Sequence, residues 1–402
     1  MKGNRIAAID VGTTKVCTIM ADVDGSGGLR ILGVGVAPTQ GLHKGLVVEV
    51  KDATESIHQS VRKAEQMAGY RLKAACVGIT GRHISSANSY GVVTISRKDR
   101  LVRPRDLRRV LEVAQNAKVP GDRKLLHIIP RTYAVDKREG VKNPVGLHGF
   151  RLDVEAHIIT AAAASVRNLT KCIRGIGIDI DDLILEPLAS SEAILREEEK
   201  QNGVMLADIG GGTTDIAIFK EGSICHTAVL PIAGYQITND IAIGLGLSFE
   251  LAEEMKKRYG NIIPPEEGDN GHQTVVEDEH SVSYQDLCEI IRIRVEEILR
   301  LIILELPHTD YLQSVPSGLV LTGGSANLPG IAQVGHEVTG LPVRIGAPID
   351  LAGVSDTLYN PAYATSVGLL LWKIRGKDSQ KWLSKGGGVH RLISQILKLF
   401  RL

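Results

Sequence analysis

Two short segments, about half a chain apart, carry the same run of chemically useful residues. The first is Ile9-Asp10-Val11-Gly12-Thr13-Thr14-Lys15. The second is Ala207-Asp208-Ile209-Gly210-Gly211-Gly212-Thr213-Thr214-Asp215. Each reads as an apolar strand, an Asp, a Gly, paired threonines and a second apolar strand. Glycine lets backbone N–H groups approach an anion with no Cβ in the way. The threonine hydroxyls and Lys15 add donors for phosphate oxygens. Asp10 and Asp208 would place negative charge on the metal side, holding Mg2+ through water. A repeat of this kind points to two related halves facing one another, with their loops gripping the β- and γ-phosphates of a nucleotide from opposite sides. One such segment alone could equally be a tight hairpin. The pair, together with a third site downstream, favours the phosphate reading.

That third site is Leu321-Thr322-Gly323-Gly324-Ser325-Ala326-Asn327-Leu328-Pro329-Gly330. It is expected to follow a strand and open a helix, a setting that suits an adenosine or its α-phosphate. Its nucleotide-facing residues are Gly323, Gly324 and Ser325.

The elements that must position these loops can be read from periodicity. Residues 6–9 with 16–20, and 203–219, read as hairpins whose turns carry the two loops. Strands are expected at 31–37, 46–50 and 75–80, and helices at 53–69, 165–179, 189–198, 237–260, 284–306 and 361–374. Between 82 and 167 the texture changes to short alternating strands (Val92–Ile95, Arg131–Val135, Val154–Thr160) around one helix at 104–117. Asp106 and the Arg pairs are placed on the polar side of that helix. The segment reads as an inserted α/β subdomain. Residues 264–281 are polar and acidic, and are expected to be loop or edge.

Bulk composition narrows the setting. The chain has 402 residues, 43% of them hydrophobic, enough for two lobes. Lys and Arg total 47 against 46 Asp and Glu, so nothing global points to nucleic acid. Gly is frequent, at 43 residues, and aromatics are 4%, which fits an α/β protein with many tight turns. Cys17, Cys76, Cys172, Cys225 and Cys288 form no CxxC pair, so a disulfide scaffold or zinc site is not expected and a reducing compartment is. The N-terminus does not read as a secretory signal. No apolar run reaches the ~18 residues of a spanning helix.

Loop one, Glu186-Pro187 before a small-residue helix, loop two, the Gly-Gly turn and Ala362–Gly368 follow in the order of a five-part pattern. It resembles that of the actin, sugar kinase and heat-shock chaperone superfamily. The resemblance implies an α/β, actin-like (ribonuclease H-like) two-lobed fold with ATP and Mg2+ in the cleft. It implies that Asp10, Gly12, Thr13, Thr14 and Lys15 form the first phosphate loop, and Gly210, Gly211, Gly212, Thr213 and Thr214 the second. Asp208 falls on the metal side. Glu186 matches an acid that orients or polarises the attacking water in relatives, with Asp215 assisting, so the catalytic set is Glu186, Asp208 and Asp10. Slow hydrolysis is left open. Glu253 and Lys256 resemble a pair that contacts the nucleoside; charges three apart on a helix also fit a solvated face.

Within that superfamily the chain is similar to the FtsA family of bacterial division proteins. The similarity is carried by Gly81–Ser89, Leu126-His127, Pro130–Asp136, Gly149–Leu152, His157–Thr160 and Gly234–Ala242. It implies subdomain IA at 1–81 (with 168–196 and 361–374), inserted subdomain IC at 82–167, IIA at 197–247 (with 315–360) and IIB at 248–314. It also implies self-association into filaments, tethering of the FtsZ ring and recruitment of later division proteins at the septum. Alternatives within the fold are a pilus assembly protein like PilM and a small-molecule kinase. A chaperone would need a peptide-binding domain that the 30 residues after Trp372 cannot supply.

The C-terminal segment carries its own signal. Residues 375–388 are charged and then Gly-rich, and read as a flexible linker. In 389–402, Leu392, Ile393, Ile396, Leu397 and Phe400 fall on one helical face, while Arg391, Lys398 and Arg401 supply positive charge without an acid. At ~1.5 Å per residue such a helix is about 20 Å long, too short to span a bilayer and suited to lying in the interface of an anionic membrane. Together with the family resemblance, it implies a place on the cytoplasmic face of the plasma membrane. The competing reading is a core or partner-docking helix.

Overall fold

The computed structural model describes residues 4–24, 28–116, 120–263, 274–277, 280–306, 311–354 and 356–384. Two sheets form the centres of two lobes. The first has six strands in the order Asp179–Leu185, Ala74–Ile79, Asn4–Val11, Lys15–Val23, Leu29–Pro38 and Ala352–Gly353. The second has five, in the order Ser223–Leu230, Thr214–Lys220, Val204–Ile209, Leu319–Thr322 and Val343–Ile345. In each, an antiparallel hairpin sits beside a parallel strand: Asn4–Val11 pairs with Lys15–Val23 and with Ala74–Ile79, and Val204–Ile209 pairs with Thr214–Lys220 and Leu319–Thr322.

Both sheets are covered on both faces, which is why their central strands are apolar throughout rather than alternating. On Asn4–Val11, Ala7, Ile9 and Val11 meet the helices Val50–Ala68 and Ala163–Gly175 through Ile57, Val61, Ala64 and Leu169. Ile6 and Ala8 point the other way, to Val367 and Leu370 of the helix Ala364–Ser384. In the second lobe, Met205, Ala207 and Ile209 pack against Ile237, Met255, Ile291 and Ile298 of three helices. Leu206, Ala217 and Val320 face Leu185, Leu188 and Ala364, so that apolar face is buried between the lobes.

The insert is a four-stranded antiparallel sheet, ordered Ile84–Thr94, Arg151–Ala162, Arg123–Val135 and Arg138–Val141. The helix Pro104–Asn116 covers one face, with Val110 and Ala114 set against Val93, Tyr133 and Val154.

Several expectations need correction. The insert strands are longer than the alternating stretches suggested. Asp106 is not on a polar face: it is fully buried, accepts from Arg97 Nη1 at 3.1 Å and Nη2 at 2.5 Å, and takes the Arg103 N–H at 2.9 Å. A carboxylate near a helix N-terminus gains those donors by turning inward. The stretch 237–260 is two helices, Gly234–Leu245 and Phe249–Tyr259, because Gly246 stops the first at φ 66° and Ser248 caps the second. The stretch 189–198 is likewise split between Glu186–Ile194 and Glu197–Asn202. Strand 46–50 is limited to Leu46–Val47, since a helix starts at Val50. Residues 375–384 are not linker: the helix Ala364–Ser384 runs through them, as residues like Lys377, Gln380 and Lys381 are good helix formers however charged the run. Residues 385–402, and with them the proposed membrane face of Arg391, Leu392, Ile393, Ile396, Leu397, Lys398, Phe400 and Arg401, lie outside the described residues. Among the described residues no helix is long and apolar enough to cross a membrane.

Candidate functional site

The two hairpin turns meet tip to tip. A Cβ on Gly211 would lie 2.2 Å from Thr14 Cγ2, and one on Gly212 would lie 2.6 Å from Thr13 Oγ1 and 2.9 Å from Thr13 Cβ. Only glycine permits this approach. Each turn is closed by one backbone bond, Gly12 N–H to Lys15 O at 3.1 Å and Gly210 N–H to Thr213 O at 2.9 Å.

The outer carbonyls of both turns are occupied. Gly210 O accepts from Gly234 N–H (3.1 Å) and Ser325 Oγ (3.0 Å), and Gly211 O accepts from Tyr235 N–H (2.7 Å). Gly12 O accepts from Thr39 Oγ1 (2.8 Å), and Thr14 O from Thr39 N–H (3.1 Å). In a trans peptide the C=O and the following N–H point oppositely. The N–H groups of Gly211, Gly212 and Thr13 therefore face away from those supports.

Four buried acids surround the tips: Asp10, Glu186, Asp208 and Asp215. Asp10 ends the first strand and accepts from Ser366 Oγ at 2.7 Å; Asp208 ends the third-lying strand of the second sheet and accepts from Thr365 Oγ1 at 2.9 Å. Asp215 accepts from Thr80 Oγ1 and from Thr213 Oγ1, the latter at 3.0 Å. Glu186 opens the connecting helix, and its Oε1 has no hydrogen-bond partner among the described residues.

Burial raises the pKa of Asp10 above 3.8, against the pull of the Ser366 hydroxyl and Lys15. Burial lifts Asp208 to about 6, opposed by Thr365 and reinforced by Asp10. Asp215 is lifted to about 7 by burial, with Asp208 and Asp10 adding to it. Glu186 lies well above 4.5 through burial first and then the charges of Asp10, Asp215 and Asp208. Lys15, whose charge acts on Asp10 and Asp208, gives one of its three donors to Ala362 O at 2.7 Å, and its Nζ sits 4.3 Å from the Tyr363 ring centroid.

The adenosine turn differs from expectation. Gly323 and Gly324 open a four-residue 3-10 turn, Gly324–Asn327; the helix proper begins at Ile331. Gly323, at φ 86°, abuts Asp208: a Cβ there would fall 2.4 Å from Asp208 Oδ1. Gly324 faces open space. Ser325 ties this turn to the second phosphate loop through Gly210.

Glu253 and Lys256 are not a solvated face. Lys256 is buried, and its Nζ donates to Gly234 O (3.1 Å), Thr238 Oγ1 (2.7 Å) and Glu253 Oε2 (2.6 Å). Gly234, Gly210, Ser325 and Lys256 thus form one connected wall.

The sequence reading did not single out Thr80, Thr365, Ser366 or Thr39. Thr365 and Ser366 lie inside the Ala362–Gly368 segment that it did single out. Thr80 and Thr39 each follow a strand, positions with no signal of their own.

The residues present fit a metal–nucleotide. Inward N–H groups and the hydroxyls of Thr13 and Thr14 suit phosphate oxygens. An unpartnered Glu186 oxygen and clustered acids of raised pKa suit a hydrated cation. Among the described residues no three of the acids form a direct ligand set.

Comparison with known proteins bears on the whole chain. The family model described as "Cell division protein FtsA" matches residues 205–368, and the one described as "SHS2 domain inserted in FTSA" matches residues 81–160. The cell division protein FtsA of Pseudomonas aeruginosa is 42% identical over 396 residues, covering 96% of this chain and 93% of that one. That of Neisseria meningitidis is 40% identical over 370 residues, covering 91% and 89%. Among solved structures, the PilM–PilN type IV pilus biogenesis complex gives a TM-score of 0.68 at 18% identity, covering 92% of this chain and 98% of that one. MreB5 of Spiroplasma citri bound to ADP gives 0.56 at 14% identity, covering 94% and 98%. At these identities the two structures establish the actin-like fold.

Proposed function

Since the chain belongs to the FtsA family of bacterial cell division proteins, we propose that it is an actin-like ATP-binding protein that self-associates and links the FtsZ ring to the cytoplasmic face of the plasma membrane at the division septum. The observation that carries the nucleotide part is the meeting of Gly211 and Gly212 with Thr14 and Thr13 inside a ring of four buried acids. The phosphate contacts fall to Gly12, Thr13, Thr14 and Lys15 on one side and to Gly210–Thr214 on the other. Glu253, Lys256, Gly323, Gly324 and Ser325 line the nucleoside side. Asp10 and Asp208 hold Mg2+ through water, and Mg2+, when bound, offsets the charge of the phosphates and of these acids. Glu186, whose Oε1 has no hydrogen-bond partner among the described residues, would accept a hydrogen bond from a water on the phosphate side, and Asp215 would support it. The subdomain limits expected from the sequence are part of this reading.

The test is binding of ATP by the intact protein and by Asp208→Ala, with and without Mg2+. The wild type is expected to bind more tightly with Mg2+, and the variant to lose that dependence. A variant that kept both would remove Asp208 from the metal side. The membrane part rests on the sequence of 389–402. Pelleting with vesicles containing phosphatidylglycerol tests it, with Arg391, Lys398 and Arg401 changed to Glu; each cation near an anionic surface contributes about 1 kcal/mol. Undiminished pelleting of the triple variant would reject it. Attachment by one such tail is weak, and filaments would strengthen it by avidity.

A further inference from the structure

Two of the four site acids are held from across the cleft. Asp208 and Asp215 belong to the second sheet, at the end of Val204–Ile209 and on Thr214–Lys220. Each takes one donor from the first lobe, and Asp215 takes a second, Thr213 Oγ1, from its own loop. Thr365 Oγ1, in the first turn of Ala364–Ser384, donates to Asp208 Oδ2 at 2.9 Å, and Thr80 Oγ1, directly after Ala74–Ile79, donates to Asp215 Oδ1. All four residues are buried. Asp10 provides the contrast: its donor, Ser366, lies in its own lobe.

We propose that Thr80 and Thr365 are positioning residues that form a two-point latch across the cleft and set how long nucleotide stays bound. This rests on the nucleotide reading of the site. A carboxylate has about four acceptor positions, so each acid can keep its hydroxyl donor while facing a metal-bound water. The two bonds fix the orientation of the acids and close the same gap that the nucleotide bridges. Release then requires both to break in a desolvated setting, where hydrogen bonds to a charged acceptor are among the stronger ones.

The positions of the two threonines give the latch a further consequence. Thr80 leads through Gly81 into the insert, whose first strand starts at Ile84. Thr365 starts the helix that runs on to Ser384. Cleft closure is thus tied to the roots of the two elements that leave the first lobe. The insert is held to the second lobe as well: Ser86 Oγ donates to Thr227 O at 2.8 Å, Asn88 Nδ2 donates to Cys225 O at 3.2 Å, and His157 Nε2 lies 3.0 Å from Thr227 Oγ1. Opening the cleft must shift the insert against one lobe or the other.

The test uses the full chain with N-methylanthraniloyl-ATP and Mg2+, following release during a chase with unlabelled ATP. Thr80→Val and Thr365→Val should each release on the order of tenfold faster, the effect of losing one hydrogen bond to a charged group, while Thr80→Ser and Thr365→Ser stay within about twofold of wild type. Spin labels at Met67→Cys and Ile243→Cys, exposed positions on the two lobes, should show a broader or longer distance in the valine variants without nucleotide, but not in Ser366→Ala. Release unchanged in both valine variants overturns the latch, as does equal acceleration in the serine variants. If the wild type bound no nucleotide, the reading of the site would fail on its own; the latch would then be judged by the spin-label distance, and an unaltered distribution in the valine variants would reject it.

Discussion

Gly212→Ala tests the tip-to-tip meeting of the loops directly. The added Cβ would fall 2.6 Å from Thr13 Oγ1, 2.8 Å from Thr13 Cγ2 and 2.9 Å from Thr13 Cβ. Carbon atoms rest about 3.5–4.0 Å apart, so the loops must separate by roughly 1 Å. Rotating Thr13 cannot relieve the contact, because its Cβ is itself too close and a β-branched side chain has few rotamers. Overpacking of this kind costs about 1–3 kcal/mol. The lobes can relieve it by opening, so most of the loss should appear in nucleotide binding and little in global stability. Affinity for Mg2+–ATP should fall about 5- to 150-fold, read by fluorescence titration, while the melting temperature without ligand moves by a few degrees at most. Thr13→Ala removes Oγ1 and Cγ2, so the double variant should be less impaired than the product of the single effects. Wild-type affinity in Gly212→Ala would mean that the loops do not meet in the state that binds nucleotide, and the clamp would fail.

Further outcomes follow from the buried charges. Asp215 has a folded-state pKa of about 7 against 3.8. Its contribution to stability is therefore full below about pH 4 and is lost as pH rises through 7, which at about 1.4 kcal/mol per unit amounts to roughly 4 kcal/mol at most. Asp215→Asn should flatten the urea-unfolding stability of the nucleotide-free protein between pH 4 and 7, and an unchanged slope would refute the assignment. Arg97→Ala strands the buried Asp106 without its bidentate partner. A buried carboxylate that loses its cation destabilises the structure around it, so hydrogen exchange should accelerate across 82–116 and 123–162 while the central strands Asn4–Val11 and Val204–Ile209 keep their protection.

The parts of the fold that were legible from sequence share one property: their signal is local. The two loops could be found because a tight turn bearing Asp, Gly and paired Thr has to be written in adjacent residues. The hairpins around them, and the helices Val50–Ala68 and Tyr284–Ile303, announced themselves by periodicity. What could not be read was set by partners distant in sequence. Thr80 and Asp215 are 135 positions apart, and Thr365 and Asp208 are 157. A threonine after a strand looks the same whether it faces solvent or a carboxylate. Asp106 and Lys256 are illegible for the same reason: a charged residue on a helix reads as solvated until its partner is known. The helix end at Ser384 is hidden in the sequence by charge density, which suggests a linker although Lys and Gln favour helix.

The electrostatics of the cleft suggest why two matched halves are needed. Each half contributes an acid from its central strand, Asp10 from one and Asp208 from the other, and closure brings these together with Glu186 and Asp215. Asp10, Asp208 and Asp215 accept from hydroxyls of Ser366, Thr365, Thr80 and Thr213, which carry no charge. Lys15 Nζ donates to a carbonyl, not to an acid. Closure without a cation therefore concentrates like charges in a desolvated space, and the raised pKa values of all four acids express that cost. A hydrated cation carrying phosphates, bound as proposed, would offset it from both sides at once. Neither lobe holds enough of the acids to gain much alone, so the gain depends on the two lobes being together. With the site as proposed, the repeat visible in the sequence would make closure, and whatever surface closure presents to a second copy or to a partner, conditional on the ligand.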